Sequence, residues 1–98
     1  MKNHMIIGGN GNDLLHLMRR WNEIKSKHQN ALLLFRRCDY YESYEYDAKK
    51  IADIIGITLL ICNSGLRVAY FPCCRLDEYL PKLIRAGYRI AICDAIDI

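Results

Sequence analysis

One stretch, residues 31–42, constrains the fold of this 98-residue chain more than any other. It opens with an unbroken apolar run, ALLLF, and ends in two arginines, a polar break and two tyrosines. Five apolar residues are too few for a buried helix and fit a central strand that is buried on both faces. Cys38 and Asp39 then predict a turn into a second strand from Tyr40, which we expect to be more exposed.

The spacing of Tyr40 and Glu42 carries the first functional hypothesis. Residues two apart in a strand point to the same side about 6.5–7 Å apart, so these two side chains should project together, with Tyr41 opposite. An aromatic face beside a carboxylate acceptor suits a flat heteroaromatic ligand whose edge carries N–H groups, and nucleic-acid bases are the commonest such ligands. The same tyrosines would also serve as cross-strand packing partners, with Glu42 solvated.

Composition indicates one globular domain. The chain is 52% hydrophobic and 26% charged, and its net charge of +3 gives only weak support for polyanion binding. No apolar run reaches the roughly 18 residues of a membrane span, and we expect no membrane partner. Five cysteines without CxxC spacing fit a reducing compartment, so we expect a cytoplasmic protein.

The first helix shows the most regular periodicity. Asn12 or Asp13 is a suitable N-cap residue, and a buried stripe of three-and-four spacing follows, at Leu14, Leu17, Met18, Trp21 and Ile24. The opposite face carries four cations, Arg19, Arg20, Lys25 and Lys27. Those cations could approach phosphates or could simply form a solvated helix face.

Local signals predict the remaining elements. A second helix should run to Ile55 and stop at Gly56, and a third should cover residues 75–86 with Ile84 on its buried face. Residues 57–62 and 66–71 predict a hairpin, and residues 88–93 predict a strand inside the sheet because both its faces are apolar. The sum is an α+β fold, a mixed β-sheet of about five strands packed with three α-helices. We expect one domain over residues 13–98 after a flexible lead-in over residues 1–12.

Three blocks of the chain resemble one known family. Residues 33–42, LLFRRCDYYE, resemble the LLF-x-R-x-GDFYE segment of domain I, the N-terminal mismatch-recognition domain of MutS DNA mismatch repair proteins. Residues 79–94, YLPKLIRAGYRIAICD, are similar to that family's YLPKLVRAGYRVAICEQ segment. The helix expected over residues 47–52 lies between them, in the family's order, and the family's domain I has a fold of the predicted kind.

The resemblance implies a role for each matched residue. In the family, the phenylalanine of the FYE motif wedges into the duplex and stacks on a mispaired base, while the glutamate accepts a hydrogen bond from that base. The matching positions here are Tyr40 and Glu42. Arg36 matches an arginine often seen in the family and Arg37 is an additional cation; either could position phosphates or simply be solvated at the strand end. The implied partners are mismatched or distorted double-stranded DNA and a MutS-type repair protein.

Four positions depart from the family pattern. Tyr40 adds a hydroxyl to the family's phenylalanine ring, and a buried hydroxyl needs a hydrogen-bond partner. Cys38 replaces a glycine in the turn that aims the wedge. Cys74 replaces a histidine, and Ala95 replaces a glutamine. The departures at Tyr40, Cys74 and Ala95 favour the alternative that the chain is a degenerate domain I, which acts as a protein-interaction or regulatory module of a MutS-type repair assembly.

A third hypothesis is a small nuclease that uses Asp39, Glu42 and Asp47 on a metal ion. No metal-ligand pattern or general-base histidine accompanies these carboxylates, and adjacent Cys73 and Cys74 rarely chelate an ion alone. The glycines at residues 8–11 complete no phosphate-binding motif. We therefore expect no enzymatic activity, no ATP hydrolysis, no metal and no cofactor from these residues.

Overall fold

The fold is a five-stranded sheet with helices on both faces, seen in a computed structural model that describes residues 11–94 and the side chains from residue 14 onward. Residues 1–10, most of the predicted lead-in, and residues 95–98 lie outside the described residues. The elements in chain order are α1 (Gly11–Lys27), β1 (Ala31–Arg37), β2 (Tyr40–Tyr44), α2 (Glu45–Ile55), β3 (Leu60–Ile61), β4 (Arg67–Pro72), a 3₁₀ turn (Cys73–Arg75), α3 (Leu76–Arg85) and β5 (Arg89–Cys93).

The sheet is mixed, with the strand order β3-β4-β2-β1-β5. β1 runs parallel to β5, while the β1–β2, β2–β4 and β3–β4 pairs are antiparallel. The parallel pair is connected through α3 and the rest of the chain, as a parallel connection requires. The predicted α+β fold of about five strands and three helices is confirmed.

Two apolar layers cover the two faces of the sheet. On one face α1 packs Leu17 and Trp21 against alternate strand residues, which are Leu33, Phe35, Tyr44 and Val68. On the other face α2 and α3 pack against the intervening residues, which are Leu32, Leu34, Tyr41 and Phe71. Because successive strand residues point to opposite faces, both layers draw on the same apolar run of β1.

The predicted stripe of α1 is confirmed. Leu17 and Trp21 are buried, and the other three members of the stripe pack against them as half-buried residues. Trp21 makes edge-on contacts with Phe35 and Tyr44, at ring-centroid distances of 5.0 and 4.9 Å. As described from Gly11 onward, α1 includes Asn12 and Asp13 within the helix, so neither residue is its N-cap.

Two predictions about the strands were wrong. β2 is not an exposed strand, because it lies between β4 and β1 and its residues from Tyr41 to Tyr44 are buried. Within the part of the chain that the structure describes, β5 is an edge strand and does not lie inside the sheet. Its two apolar faces reflect helices on both sides of the sheet, and Ile92 is still 41% exposed.

The remaining elements follow their local signals with two differences. α2 ends at Gly56, which has φ 77° and donates its N–H to the Ala52 carbonyl, as predicted for a left-handed stop. The β3–β4 hairpin forms, but β3 is only two residues long. Ile84, predicted to be buried, is 56% exposed, whereas its neighbour Leu83 is completely buried.

None of the helices between residues 11 and 94 is both long enough and apolar enough to cross a bilayer.

Candidate nucleic-acid interface

A two-residue turn, Cys38-Asp39, joins β1 to β2 at one end of the sheet. Arg37 and Tyr40 face each other across the strands on either side of this turn. Cys38 has φ 56°, in the left-handed region where a residue with a Cβ is strained by about 1–2 kcal/mol. The chain therefore keeps a backbone conformation that suits glycine, although it carries cysteine there. The Asp39 carbonyl accepts a hydrogen bond of 2.7 Å from the Cys73 N–H, which fixes the turn to the end of β4.

Tyr40 is the aromatic side chain nearest the turn, and it is half-buried. Its ring meets the ring of Tyr70 edge-on, with the centroids 5.7 Å apart. It also lines an open surface cavity of about 420 Å³, together with Asp39, Pro72, Cys73 and Cys74. An aromatic ring therefore stands at the rim of a concave surface at the turn, supported from behind by a second ring.

Glu42 does not project beside Tyr40. As the spacing predicts, the two residues lie on one side of β2 and Tyr41 lies on the other. Tyr41 packs there on Phe71, in the layer beneath α2 and α3. Glu42, however, is 0% exposed. β2 is a central strand, so the side that the two residues share is covered by protein at Glu42 and reaches the surface only at Tyr40.

Two side chains hold the Glu42 carboxylate. The Tyr44 hydroxyl and the Arg37 guanidinium both donate to Oε1, and the distance from Arg37 is 3.2 Å. The other oxygen, Oε2, is buried and has no hydrogen-bond partner in the part of the chain that the structure describes. Leaving a buried acceptor unsatisfied costs about 1–3 kcal/mol, so the carboxylate is held at one oxygen and poorly accommodated at the other.

Burial is the largest single influence on the pKa of each of these three side chains. It raises the pKa of Glu42, although the Tyr44 hydroxyl and the Arg37 guanidinium act in the opposite direction. Burial also raises the pKa of Tyr44, and the neighbouring Glu42 raises it further. At Arg37 burial favours the neutral form, but the charges and hydrogen bonds of Glu42 and Tyr44 together outweigh it and raise the pKa. The three side chains therefore form one electrostatic unit, which we call the Glu42 network (Arg37, Glu42 and Tyr44).

The two arginines at the end of β1 have different surroundings. Arg37 is on the Glu42 side of the sheet, and only 18% of its side chain is exposed. Arg36 is on the opposite side, is exposed, and its Nε donates to the Cys38 carbonyl at 3.3 Å. Arg36 is thus placed at the surface of the turn, whereas Arg37 is engaged inside the fold. Contact of either residue with DNA stays a prediction.

A second buried polar cluster, which we did not predict, supports the first half of β1. Leu33 lies beyond the last β1–β2 pair, and side chains bond its peptide groups instead. Asp47 accepts from the Leu33 N–H at 3.0 Å, and the Ser43 hydroxyl donates to the Leu33 carbonyl at 2.9 Å. Lys25, which we had placed on the outer face of α1, forms an ion pair of 2.9 Å with Asp47. Only the polar residues that interrupt the apolar pattern at Ser43 and Asp47 hinted at this cluster.

The carboxylates of the nuclease hypothesis have separate roles. Asp39 is exposed at the turn, Glu42 is in its network, and Asp47 bonds the backbone of β1. Across residues 11–94 no group of three or more histidine, cysteine or acidic side chains is placed to hold a metal ion. Cys73 is half-buried, which raises the pKa of its thiol, and Cys74 is exposed. Ala95, the fourth departure from the family pattern, lies outside the described residues.

Comparison with known proteins agrees with the resemblance seen in the sequence. A family model described as MutS domain I matches residues 16–97. The protein named DNA mismatch repair protein MutS in Salinibacter ruber is 47% identical over 85 residues, covering 83% of this chain and 9% of the relative. Proteins of the same name are 46% identical over 88 residues in Phocaeicola vulgatus and 48% identical over 85 residues in Porphyromonas gingivalis. In those two, the match covers 86% and 83% of this chain and 10% of each relative. The chain thus spans about a tenth of the length of the relatives it matches.

Proposed function

This chain belongs to the MutS domain I family, and from that premise we propose that it is a non-catalytic DNA-binding module of the mismatch-repair type. It would recognise mismatched or otherwise distorted duplex DNA through the turn between β1 and β2. Tyr40 would stack on an unpaired or mispaired base, and Arg36 would contact the phosphate backbone. The relatives carry the words DNA mismatch repair in their names, which supports this class of partner.

The observation that carries the proposal is the position of Tyr40. A half-buried ring at the end of a hairpin, backed edge-on by Tyr70 and bordering an open cavity, is rigid and accessible at once. Unstacking a base step costs a few kcal/mol, and less at a mismatch, while stacking on an aromatic ring returns about 1–3 kcal/mol. The balance favours insertion where the duplex is already weakened, so discrimination would come from the deformability of the DNA.

Glu42 would take part only after a rearrangement. A carboxylate that is 0% exposed cannot reach a base, so its side chain must leave the interior of the sheet to accept a hydrogen bond there. The unsatisfied Oε2 favours that movement, since this oxygen gains partners in water or on a base edge. The bonds from Arg37 and Tyr44 to Oε1 oppose it. We therefore assign the first contact with DNA to Tyr40 and a conditional contact to Glu42.

Fluorescence anisotropy tests the proposal directly. A labelled duplex with one G·T mismatch and its matched counterpart are each titrated with the chain at low salt and again at higher salt. We expect tighter binding of the mismatched duplex, and we expect the ratio of the two dissociation constants to outlast the added salt. The shared electrostatic part of the affinity should fall with salt for both duplexes, because it reflects counterion release.

Tyr40→Ala is the decisive variant, and Tyr46→Ala is its matched control. Tyr46 lies on α2, is 61% exposed, and contacts the Lys50 ammonium at 5.7 Å from its ring centroid. Losing one stacking interaction of about 1–3 kcal/mol should weaken mismatch binding by about 5- to 150-fold in Tyr40→Ala and leave the matched duplex nearly unchanged. Tyr46→Ala should bind like the wild type. A mismatch preference that survives Tyr40→Ala in a folded protein would refute the assignment.

A second candidate function is binding to a MutS-type repair protein, which the open edge of β5 favours. On its outer side β5 has no strand partner among the described residues, and its Ile92 is 41% exposed. Unpaired strand edges are ready sites for pairing with another chain. Co-elution with the MutS protein of Porphyromonas gingivalis tests this function, with Ile92→Lys as the edge variant and Ile61→Lys as the control on β3. Loss of co-elution in Ile92→Lys alone would support it, and absence of co-elution by the wild type would contradict it.

A further inference from the structure

The Glu42 network contains a residue that the family resemblance treats only as an additional cation. Arg37 lies opposite Tyr40 across the β1–β2 ladder, and its guanidinium reaches diagonally along the same side to Oε1 of Glu42, at 3.2 Å. Only 18% of the Arg37 side chain is exposed, and none of the Glu42 side chain is. The cation therefore faces inward, toward the carboxylate, and not outward from the turn.

An inward arginine changes what Glu42 can do. A buried carboxylate that loses its only cationic partner is strongly disfavoured, because its charge is then uncompensated. While Arg37 is in place, that charge is compensated and Glu42 stays inside the sheet. Without Arg37, the same carboxylate would be driven to water at the surface beside Tyr40. Arg37 thus controls whether the Glu42 carboxylate stays inside the sheet or is exposed at the surface beside Tyr40.

We propose that Arg37 is a specificity-determining positioning residue, which weakens discrimination between mismatched and matched DNA by holding Glu42 within the fold. This inference rests on the proposed function. A carboxylate presented at the turn would repel the phosphates of any duplex, and only a base that offers an N–H would repay that repulsion. While Glu42 stays inside the sheet, its charge does not repel the phosphates of matched duplex. The selectivity of the wild type then depends on Tyr40 alone.

Arg37→Met tests the inference because methionine is similar in length and cannot pair with Glu42. Arg36→Met is the matched control: it removes the same charge one residue away, from an exposed side chain on the other side of the sheet. Loss of a phosphate-facing cation weakens binding about equally for all sequences, so Arg36→Met should lower both affinities and leave their ratio unchanged. Arg37→Met should raise the mismatch-to-match affinity ratio, by about tenfold if one like-charge contact is introduced on the matched duplex.

The Glu42→Gln background separates this role from a general effect on structure. If Arg37 acts through the carboxylate, Arg37→Met and Arg36→Met should have the same effect on the ratio once Glu42 is glutamine. Should the single Arg37→Met variant not fold, the double variant Arg37→Met/Glu42→Gln is compared with Glu42→Gln, and equal ratios are expected. Unequal ratios there would overturn the inference.

The outcomes also distinguish the two proposals. If the wild type binds DNA and Arg37→Met changes both affinities as Arg36→Met does, the specificity role of Arg37 is wrong and the DNA-binding function stands. If neither the wild type nor Arg37→Met binds either duplex, the DNA-binding function fails and the specificity role fails with it. A wild type that prefers the mismatched duplex, with a larger preference in Arg37→Met, would support both proposals.

Discussion

Asp47 and Glu42 are both buried carboxylates paired with a basic side chain, but Asp47 bonds the backbone and Glu42 bonds other side chains. Asp47 is 1% exposed and bonds the backbone of β1 through the Leu33 N–H, while its ion pair with Lys25 connects α2 to α1. Glu42 is 0% exposed, and among residues 11–94 it bonds only other side chains and one of its oxygens has no partner. Asp47 therefore replaces a missing strand contact. Glu42 is a charge that the fold holds at a cost.

The difference follows from what each residue completes. Without Asp47 a backbone N–H in a central strand would be left unsatisfied, since the β1–β2 pairing ends at Phe35 and Glu42 and does not reach Leu33. Asp47 also lies in the first turn of α2, where a negative charge interacts favourably with the helix dipole. No backbone group depends on Glu42 for a hydrogen bond among the contacts described above. Movement of Glu42 toward the neighbouring turn would therefore leave these backbone hydrogen bonds intact, and only its side-chain contacts with Arg37 and Tyr44 oppose it.

The largest effect expected from this comparison is on stability at Asp47. Asp47→Ala removes the acceptor of the Leu33 N–H and the anionic partner of the Lys25 ammonium, which keeps its hydrogen bond to the Ala31 carbonyl. It should lower the free energy of unfolding by about 3 kcal/mol. Urea denaturation followed by the fluorescence of Trp21 measures the change, because this single tryptophan is buried against Phe35 and Tyr44.

Asp53→Ala is the control for that measurement. Asp53 also forms an ion pair with a lysine, at 3.2 Å from Lys49, but both side chains are more than half exposed. An exposed pair of this kind contributes about 0.3–0.5 kcal/mol, so the control should stay close to the wild type. Equal losses in Asp47→Ala and Asp53→Ala would contradict an architectural role for Asp47.

A smaller effect on the free energy of unfolding is expected at the turn, where a substitution leaves both carboxylates unchanged. Cys38 occupies a left-handed conformation with φ 56°, which glycine adopts without strain. Cys38→Gly should raise the free energy of unfolding by about 1 kcal/mol, after the greater freedom of glycine in the unfolded chain is deducted. Cys38→Ala keeps the Cβ and removes the thiol, so it should not give this gain. A gain of the same size in both variants would mean that the thiol, and not the backbone, is the source of strain.

The sequence predicted the fold more fully than it predicted the site, and the reason lies in the range of the interactions. The apolar run of β1, the stripe of α1 and the stop at Gly56 are local patterns, and each formed as expected. The edge position of β5 depends on which strands pair, and two apolar faces are equally compatible with the edge and the interior when helices cover both sides. Strand order is a property of the whole sheet and leaves little trace in one strand.

The site shows the same limit at the level of single side chains. Alternation correctly put Tyr40 and Glu42 on one side of β2, but it could not tell that the sheet is covered at Glu42 and open at Tyr40. The pairing of Arg37 with Glu42 joins two strands across a turn, and the pairing of Lys25 with Asp47 joins two helices. The first pairing depends on the register of the hairpin and the second on the packing of the helices, and residue spacing alone encodes neither.

The smallest effect concerns the charge of Glu42. Removing this charge should change the free energy of unfolding in the direction opposite to the change expected from Asp47→Ala. Burial raises the pKa of Glu42 above its ordinary value of 4.5, so the folded protein holds a proton there that the unfolded chain has already released. The contribution to stability is therefore complete below pH 4.5 and is lost as the pH rises through the raised pKa.

Glu42→Gln lacks this titration. Its free energy of unfolding relative to the wild type should therefore rise as the pH increases above 4.5 and through the raised pKa of Glu42, because the Arg37 and Tyr44 contacts offset only part of the burial. Urea denaturation at intervals of pH measures the difference, with Glu78→Gln as a control, since Glu78 forms an exposed pair with Arg75. A difference that falls with pH would mean that the Arg37 ion pair outweighs burial, and Glu42 would then be as firmly built into the fold as Asp47.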